Sequence, residues 1–565
     1  MSPVQLLARV AGAEPAPRQS RREAAPRRHE RLEQAAVALI LVAAAAALFA
    51  TAPKNGDFWW SDAPRHALNG AFVKDFIAAM PWHDARRWAI DYYLKYPALT
   101  ILFYPPLFYF FLAAAYAVFG VSQWAAQAVV SLFTVLLGAA TYGIVRARFP
   151  RWSALGAALL VMGGPEEAYW ARQVMLDIPA YAVLVAGVFF FLRYLRLERP
   201  RDLYVCAALI LAAIYIKLTA VFIVPVLAAS LPAVKGLGVL RRRHVIAAAA
   251  AGVLGVIPAV LLTLKFGMIN VQSVAGRPHD LPRTSLAAWL FYAEAIPLYL
   301  GYVGTALAAG GVVLALRRRT APLETWFAGL LLAWFAFGYL FFSAIEVREP
   351  RHGMMIAFPL AIFAVFFIHR ILHRILPRPA APAVTAALGL ATLVYSLFFY
   401  PAPAVEGYAA VADYVARHAP KNAVVLFSGY RDGNFIFDLR TEKRRDIAVL
   451  RADKLLLRVA VERERGVKQA SLDRQQIAGM LRAYGVGLVV VQPHFWSDLR
   501  EMDRLAAVLH GGDFARVAEF TITGATHRGE RVIEVYKPTY PVQERRRTLR
   551  LDMPIIGETF HGTVK

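Results

Sequence analysis

The sequence predicts a polytopic α-helical membrane protein with a soluble α/β domain at its C-terminal end. Hydrophobic residues make up 58% of the 565 residues and charged residues only 18%, whereas a soluble domain is about 45–50% apolar and about 25% charged. Apolar runs recur at close to the roughly 20 residues that cross a bilayer as a helix. Beyond residue 405 the charges return. These observations exclude a soluble globular enzyme.

The positive charge of the chain fits a membrane protein better than a nucleic-acid-binding one. Lys and Arg number 63 against 39 Asp and Glu, a formal net charge of +24. The basic residues flank apolar runs, which is the pattern of cytoplasmic loops, so we expect membrane lipids as partners and no nucleic acid. The single cysteine, Cys206, lies inside an apolar run. Neither a disulfide nor a cysteine-based metal site is therefore expected.

The N-terminus predicts a cytoplasmic leader and an uncleaved first helix. Residues 1–34 contain seven arginines and few large apolar side chains, which is typical of a disordered basic leader. The apolar stretch 35–52 ends in Ala-Thr-Ala and so imitates a signal-peptide cleavage site. Its 18 residues exceed the about 7–15 of a signal-peptide core. We therefore interpret it as a membrane helix.

Hydropathy and charge together predict about eleven crossings. After the first helix, apolar segments occur at about 104–119, 123–145, 152–164, 178–195, 203–215, 218–232, 245–264, 291–316, 323–343, 353–372 and 383–400. The basic clusters between these segments all lie on the cytoplasmic side only if segment 104–119, which opens Tyr-Pro-Pro, enters from the outer face without crossing. The transmembrane domain is then 35–400, with an outer-face loop at 53–122.

Residues 401–565 predict a periplasmic α/β domain. Short β-rich runs alternate with helical stretches: the predicted strands are Ala423–Phe427, Leu488–Gln492, Arg516–Phe520 and Val532–Tyr536, and the predicted helices are Gly407–His418 and Gln475–Tyr484. Glycine-rich phosphate loops, zinc-binding motifs and hydrolase motifs are missing where their context would require them. The sequence does not indicate what this domain does.

Charged residues at membrane depth are the candidates for chemistry, because such groups are costly there. In the first outer loop, Asp57 and Asp62 flank Trp59 and Trp60. The alternative is that the tryptophans anchor the interface and the acids cap the helix that begins near Ala63.

Three further outer-face positions carry candidates. Arg172 and Asp177 bracket one loop, where Asp177 could instead cap the next helix. Lys217 interrupts a long apolar run, and snorkelling to the interface is the alternative account. Arg351 belongs to a dense charge cluster that a solvated loop would explain equally well.

These motifs, in order, resemble the GT-C glycosyltransferase superfamily, specifically its branch of bacterial aminoarabinose transferases and dolichyl-phosphate-mannose protein mannosyltransferases. The resemblance covers about residues 35–400, so the fold expected is GT-C-like. It is carried by Asp62-Ala63-Pro64-Arg65, by Tyr104-Pro105-Pro106, by Ala171-Arg172-Gln173-Val174-Met175-Leu176-Asp177-Ile178-Pro179, by Lys217 eight residues before Pro225, and by Arg351 eight before Pro359.

Two positions depart from the family pattern. The family often has Asp-Glu in the first loop, and here the second acid is Ala63; the lysine that commonly precedes the Pro-Pro pair is Tyr104. Asp62 is therefore the sole acid of its motif. The missing cation leaves Lys95, Arg172, Lys217 or Arg351 to contact a lipid phosphate.

The resemblance implies transfer of a sugar from a polyprenyl phosphate to a lipid, glycan or protein acceptor, on the outer face of the bacterial inner membrane. Arg172, Lys217 and Arg351 would stabilise the departing phosphate, and Asp62 would act as the base with Asp177 as its partner. A single displacement would invert the anomeric centre. Arg65, Asp57 and Tyr104 are possible supports of the first loop.

No cofactor or divalent metal is indicated, since His66, His83 and His352 stand isolated in the sequence. Two other functions stay open. A polytopic transporter would be expected to show inverted halves with interrupted helices, which we do not see. A non-catalytic membrane scaffold is compatible with the missing second acid.

Overall fold

The computed structural model describes residues 28–274, 281–317, 323–375, 377, 379–442, 444–459, 463, 467–525, 528–542, 547–553 and 558–564. The predicted disorder of residues 1–27 lies outside this range. The first helix, α1, spans Arg28–Ala50. Residues 28–34, which the sequence placed in the disordered leader, are helical because Glu, Arg, Leu and Gln favour a helix. The chain divides into two compact units after Ile40, within α1.

Each apolar segment predicted from the sequence forms a helix. The helices up to residue 400 are α1, α2 (Ala63–Ala79), α3 (Ala85–Lys95), α4 (Leu107–Phe119), α5 (Gln123–Arg146), α6 (Arg151–Gly163), α7 (Pro165–Trp170), α8 (Asp177–Leu197), α9 (Pro200–Ile216), α10 (Ile223–Lys235), α11 (Arg243–Val274), α12 (Leu286–Leu316), α13 (Thr325–Ala344), α14 (Pro350–Ile375) and α15 (Ala380–Phe398). Two 3₁₀ turns, Leu218–Phe222 and Leu237–Arg241, flank α10.

Nine helices of the described part are long and apolar enough to cross a membrane. They are α1, α5, α8, the run Leu218–Lys235, α11, α12, α13, α14 and α15. Helices α4 and α6 are apolar but have only 13 residues each. At 1.5 Å per residue, 13 residues span about 20 Å, less than the roughly 30 Å hydrocarbon core.

Helices α6 and α15 approach each other through glycines. A Cβ atom on Gly156 would lie 2.3 Å from the carbonyl oxygen of Thr385, and one on Gly389 would lie 2.2 Å from the carbonyl oxygen of Gly156. Only glycine permits such backbone contact, which is a common way for membrane helices to pack. This contact fixes α15 beside the short segment that follows α6.

The C-terminal residues form a mixed five-stranded sheet in the order β2-β1-β5-β7-β6. Strands β2, β1 and β5 are parallel, and β7 and β6 are antiparallel. The elements are α16 (Tyr408–His418), β1 (Val424–Ser428), α17 (Asp432–Thr441), β2 (Ala448–Arg451), α18 (Ala452–Leu455), β3 (Leu457–Val459), β4 (Val467–Gln469), α19 (Arg474–Tyr484), β5 (Val486–Val491), α20 (Arg500–Leu509), β6 (Phe514–Thr521), a 3₁₀ turn (Arg528–Glu530), β7 (Val532–Pro538), β8 (Arg547–Met553) and β9 (Glu558–Val564). The four predicted strands lie within two residues of β1, β5, β6 and β7.

The core of this sheet includes a residue of the first outer loop. Leu94 of α3 is 1% exposed and belongs to the same apolar cluster as Val424, Leu450 and Val489. The β8–β9 hairpin also packs on α3, where the rings of Tyr93 and Phe560 lie 5.7 Å apart. The C-terminal sheet therefore shares its core with loop 53–122.

Candidate active site

Four charged residues predicted from the sequence converge on one buried histidine. His66 in α2 is 1% exposed. The charges of Asp62, Asp177, Lys217 and Arg351 all act on its imidazole. We call these four residues the charged cluster. They come from four separate parts of the chain, so the fold brings them together.

Asp177 and Lys217 form a buried ion pair. The Lys217 Nζ donates to Asp177 Oδ1 at 2.5 Å, and the two side chains are 13% and 2% exposed respectively. Asp177 is the first residue of α8 and makes no capping bond, so the capping alternative is wrong for it. Lys217 has an extended backbone between α9 and the following 3₁₀ turn. Because its ammonium group is bonded to Asp177, the alternative that Lys217 snorkels to the interface is also wrong.

Arg351 lies on two tryptophans near the start of α14. Its guanidinium carbon is 5.0 Å from the ring centre of Trp170 and 5.8 Å from that of Trp60. Its Nε is 2.6 Å from Glu349 Oε2. Aromatic faces attract a cation and fix its guanidinium plane, so Arg351 is held in place as a positive charge.

The Asp62 carboxylate has no partner of its own. It precedes α2 but makes no capping hydrogen bond, so the capping alternative is wrong for this residue as well. Over the residues that the structure describes, no side-chain hydrogen bond to Asp62 is formed, and the residue is partly exposed. A carboxylate in this state can accept a proton from an incoming group.

Tyr104 and His66 are neutral neighbours of Asp62. Burial, with the charge of Asp62 as a smaller cause, raises the pKa of Tyr104 well above its usual value. Burial lowers the pKa of His66 to about 4, and His66 Nδ1 is 3.0 Å from the hydroxyl of Tyr109. Tyr104 can therefore donate a hydrogen bond, but it does not replace the charge of the family's lysine.

Arg172 does not join the charged cluster. It is 1% exposed, its Nε donates to the carbonyl of Ala168 at 2.8 Å, and one Nη donates to the carbonyls of Ser396 at 3.2 Å and Tyr400 at 2.5 Å. These bonds tie the segment after α7 to the end of α15. The Nε and one Nη of Arg172 thus have backbone partners, and its contact with a donor phosphate stays a prediction.

Asp57 and Arg65 point to the C-terminal domain. The Asp57 carboxylate accepts backbone N–H groups of Gly407, Tyr408 and Ala409 at 2.7–3.0 Å, at the start of α16. Arg65 pairs with Asp432 at 3.0 Å. Asp57 and Arg65 therefore both support the first loop, as the sequence suggested. They do so through contacts with the C-terminal domain, which the sequence did not predict.

The histidines named from the sequence differ in their surroundings: acids lie near His66 and His352. No group of three His, Cys, Asp or Glu side chains suited to a metal ion occurs in the described ranges. His83 is exposed, and the ring of His352 stacks on Phe342 at 6.3 Å.

Comparisons with known proteins bear on this arrangement. A family model of dolichyl-phosphate-mannose-protein mannosyltransferases matches residues 104–262. A search of curated protein sequences found no match.

Solved structures resemble the chain over most of its length. ArnT from Cupriavidus metallidurans, bound to undecaprenyl phosphate, is 16% identical with a TM-score of 0.58, over 91% of this chain and 99% of ArnT. The Archaeoglobus fulgidus oligosaccharyltransferase is 12% identical with a TM-score of 0.52, over 89% of this chain and 75% of that one. The arabinofuranosyltransferase AftD from Mycobacteria is 14% identical with a TM-score of 0.51, over 91% and 40%.

The chain has the GT-C fold. It resembles the ArnT and protein mannosyltransferase branch, which confirms the resemblance inferred from the sequence. Membrane helices followed by a small mixed sheet confirm the predicted fold class.

Within this GT-C fold, sequence reasoning did not single out Glu166 and Trp170 as neighbours of the cluster. Trp170 Nε1 donates to Glu166 Oε1 at 2.7 Å. Burial raises the pKa of Glu166 to about 7, and the charges of Asp177 and Arg351 act on it in opposite directions as smaller causes. An acid four residues before a tryptophan, just ahead of the Asp177 motif, was the available signal.

Proposed function

We propose that the protein is an inverting glycosyltransferase that moves a sugar from a polyprenyl phosphate to a lipid, glycan or protein acceptor. The reaction would take place at the outer face of the bacterial inner membrane. The observation that carries the proposal is a carboxylate, Asp62, that has no partner among the described residues and surrounds His66 together with two fixed cations, Lys217 and Arg351.

Lys217 and Arg351 would stabilise the leaving group. A polyprenyl phosphate gains negative charge on its bridging oxygen as the glycosidic bond breaks, and cations fixed in a water-poor site stabilise that charge strongly. Asp177 would hold Lys217 in position through their ion pair. ArnT was solved with undecaprenyl phosphate, and the archaeal oligosaccharyltransferase AglB with a dolichol-phosphate and an inhibitory peptide, which supports a lipid phosphate as the donor's carrier.

Asp62 would act as the general base. The acceptor hydroxyl attacks the anomeric carbon, its proton passes to Asp62, and the bond to the phosphate oxygen breaks with its electron pair on the phosphate. One displacement inverts the anomeric centre. The chain's own residues perform each step, and no metal ion or cofactor is part of the proposal.

The test is release of free undecaprenyl phosphate. Purified protein is added to a detergent extract of bacterial envelopes, which holds both donors and acceptors, and the free lipid phosphate is measured by mass spectrometry. We expect release with the native chain and a fall of roughly 10²–10⁴ in rate for Asp62→Asn, the usual contribution of a general base.

The matched control is Asp84→Asn, because Asp84 is an exposed acid of the same outer loop that makes no capping bond. It should retain the native rate. Equal rates for Asp62→Asn and the native chain would reject Asp62 as the base, and no release by the native chain would reject the transfer reaction.

A further inference from the structure

We propose that the N-terminal end of α17 positions the Asp62 segment for catalysis, with Asn434 as the central positioning residue. The proposal gives the C-terminal domain a part in the reaction, and it rests on the proposed function of Asp62. Three consecutive residues at this end of α17, Asp432, Gly433 and Asn434, together with the preceding Arg431, contact the first loop on both sides of Asp62.

The location in the sheet suits this role. Strand β1 lies between β2 and β5, and α17 leaves the carboxyl end of β1 to connect it to β2. Open α/β sheets bind their ligands in the crevice outside the carboxyl ends of the strands, where neighbouring strands connect in opposite directions. In this protein the residues that follow β1 contact the chain's own first outer loop.

Before Asp62, the loop is held through its backbone. Asn434 Oδ1 accepts from the Phe58 amide at 3.2 Å, and Asn434 Nδ2 donates to the Phe58 carbonyl at 3.0 Å. Both residues are buried, at 1% and 2% exposure. Arg431 donates to the carbonyl of Trp59 and lies 5.0 Å from its ring centre. Arg431 is itself paired with the fully buried Glu530.

After Asp62, the loop is held by charge and by close approach. The two Nη atoms of Arg65 donate to the two carboxylate oxygens of Asp432 at 3.3 and 3.0 Å. Arg451 also pairs with Asp432, at 2.7 Å. A Cβ on Gly433 would lie 2.8 Å from Pro64, so α17 cannot come this near with a larger side chain.

These contacts restrain the backbone at Phe58 and Trp59 before Asp62 and the side chains of Pro64 and Arg65 after it, while the Asp62 carboxylate forms no hydrogen bond within the described part of the chain. The rate acceleration that a general base provides depends on its position, since a shift of about 1 Å costs up to about 10²-fold in rate. Lys217 and Arg351 are held by other elements. Loosening the α17 contacts should therefore slow the chemical step and leave lipid-phosphate binding intact.

The experiment compares Asn434→Ala with Thr441→Ala, a substitution at the opposite end of the same helix. For Asn434→Ala we expect kcat to fall by up to about 10²-fold, with unchanged affinity for undecaprenyl phosphate. Thr441→Ala should keep the native kcat. If Asn434→Ala keeps the native kcat, or loses kcat and affinity together, the proposal is overturned.

A double variant shows whether Asn434 acts through Asp62. In the Asp62→Asn background, Asn434→Ala should produce no further loss, because residues that act as one unit are not additive. A full additional loss would overturn the proposal. If Asn434→Ala does not fold, Arg65→Gln, on the partly exposed side of the contact, replaces it in the test. The same two quantities, kcat and the affinity for undecaprenyl phosphate, are then measured.

The outcomes separate the two hypotheses. No release of lipid phosphate by the native chain removes the proposed function, and a native rate for Asp62→Asn removes Asp62 as the base and with it the positioning role. A large loss for Asp62→Asn together with a native kcat for Asn434→Ala removes only the positioning role.

Discussion

At the scale of single residues, the charged cluster depends on the pairing of Asp177 with Lys217. Both side chains are buried, at 2% and 13% exposure, and come from elements forty residues apart in the chain. Removing one partner of a buried pair leaves an uncompensated charge, which costs about 3–5 kcal/mol, whereas neutralising both is often tolerated. Single and double variants can therefore separate what the pair contributes to stability from what it contributes to phosphate binding.

We expect Lys217→Met to lower the free energy of unfolding by about 3–5 kcal/mol. Adding Asp177→Asn should restore most of that stability, because no unpaired charge is left. Thermal unfolding of the two variants in detergent measures this. Affinity for undecaprenyl phosphate should be weak in both, and a double variant with native affinity would return Lys217 to a purely structural role.

Arg172→Gln should give the opposite pattern. Its guanidinium holds three backbone carbonyls, and leaving such buried acceptors unsatisfied costs about 1–3 kcal/mol each. The melting temperature should fall while the folded protein keeps its affinity for undecaprenyl phosphate. A loss of affinity without a loss of stability would restore Arg172 as a phosphate ligand.

Residue types at membrane depth predicted Asp62, Asp177, Lys217 and Arg351 together because burying such charges is costly and therefore informative. The same argument did not predict the backbone partners of Arg172, since the carbonyls of Ser396 and Tyr400 lie 224 and 228 residues away. A local pattern shows that a charge is buried, but it does not show which distant backbone the charge meets.

At the scale of elements, the first outer loop meets the start of α16 and the side of α17 at two neighbouring carboxyl groups, Asp57 and Asp438. Asp57 accepts the first N–H groups of α16, where a negative charge is favourable. The neighbouring Asp438 is 3% exposed and bonded to Asp57. Burial, and after it the charge of Asp57, raises the pKa of Asp438 well above its usual value. The two carboxyl groups therefore share a proton.

Asp438→Asn should stabilise the protein increasingly as the pH rises. The folded state keeps the Asp438 proton above pH 3.8, where the unfolded chain releases it, so this group's stability is present at low pH and lost as the pH rises through the folded pKa. The asparagine side chain is neutral at every pH, so the variant does not lose this stability. The melting temperature of the variant minus that of the native chain should be larger at about pH 8 than at about pH 5, and an equal difference at both would contradict the shared proton.

Helix α4 is the element on which the predicted topology depends. It is only 13 residues long and begins after Pro106, but α6, which the prediction counts as a crossing, is equally short, so labelling must decide which of the two crosses. A cysteine at Ser122, just before α5, should react with a membrane-impermeant maleimide added outside. Cys206 is buried and leaves a low background. Labelling only from the cytoplasmic side would mean that α4 crosses.

Most bounds of the apolar helices followed from the sequence, since apolar runs end at charged or proline-containing connections, but α11 continues ten residues beyond its predicted end at residue 264. The sequence did not predict that α3 would enter the core of the C-terminal sheet. Leu94 sits in a short, mostly polar helix with Arg86, Arg87 and Lys95, and its burial arises from a sheet more than 300 residues later in the chain.

At the scale of the whole molecule, the charges divide the protein into two sides. Helix α8 begins with Asp177 of the cluster and has Arg196 in its last turn, and its 21 residues span about 32 Å. Helix α9 returns from Arg201 to Lys217. The basic connections and the charged cluster therefore lie at opposite ends of the same helices, which places the cluster on the outer side if the arginines are cytoplasmic.

The orientation of the C-terminal domain follows from the same division. That domain contacts Trp59 and Arg65 of the first loop, on the side of the cluster, so it should be periplasmic. A cysteine at the exposed Ser497 should be labelled by an impermeant maleimide in intact spheroplasts. A cysteine at the exposed Arg241, in the basic connection before α11, should be labelled only after permeabilisation. The reverse labelling pattern would mean that the orientation of the protein in the membrane is inverted. The charged cluster would then face the cytoplasm, where a donor in the outer leaflet would not reach it.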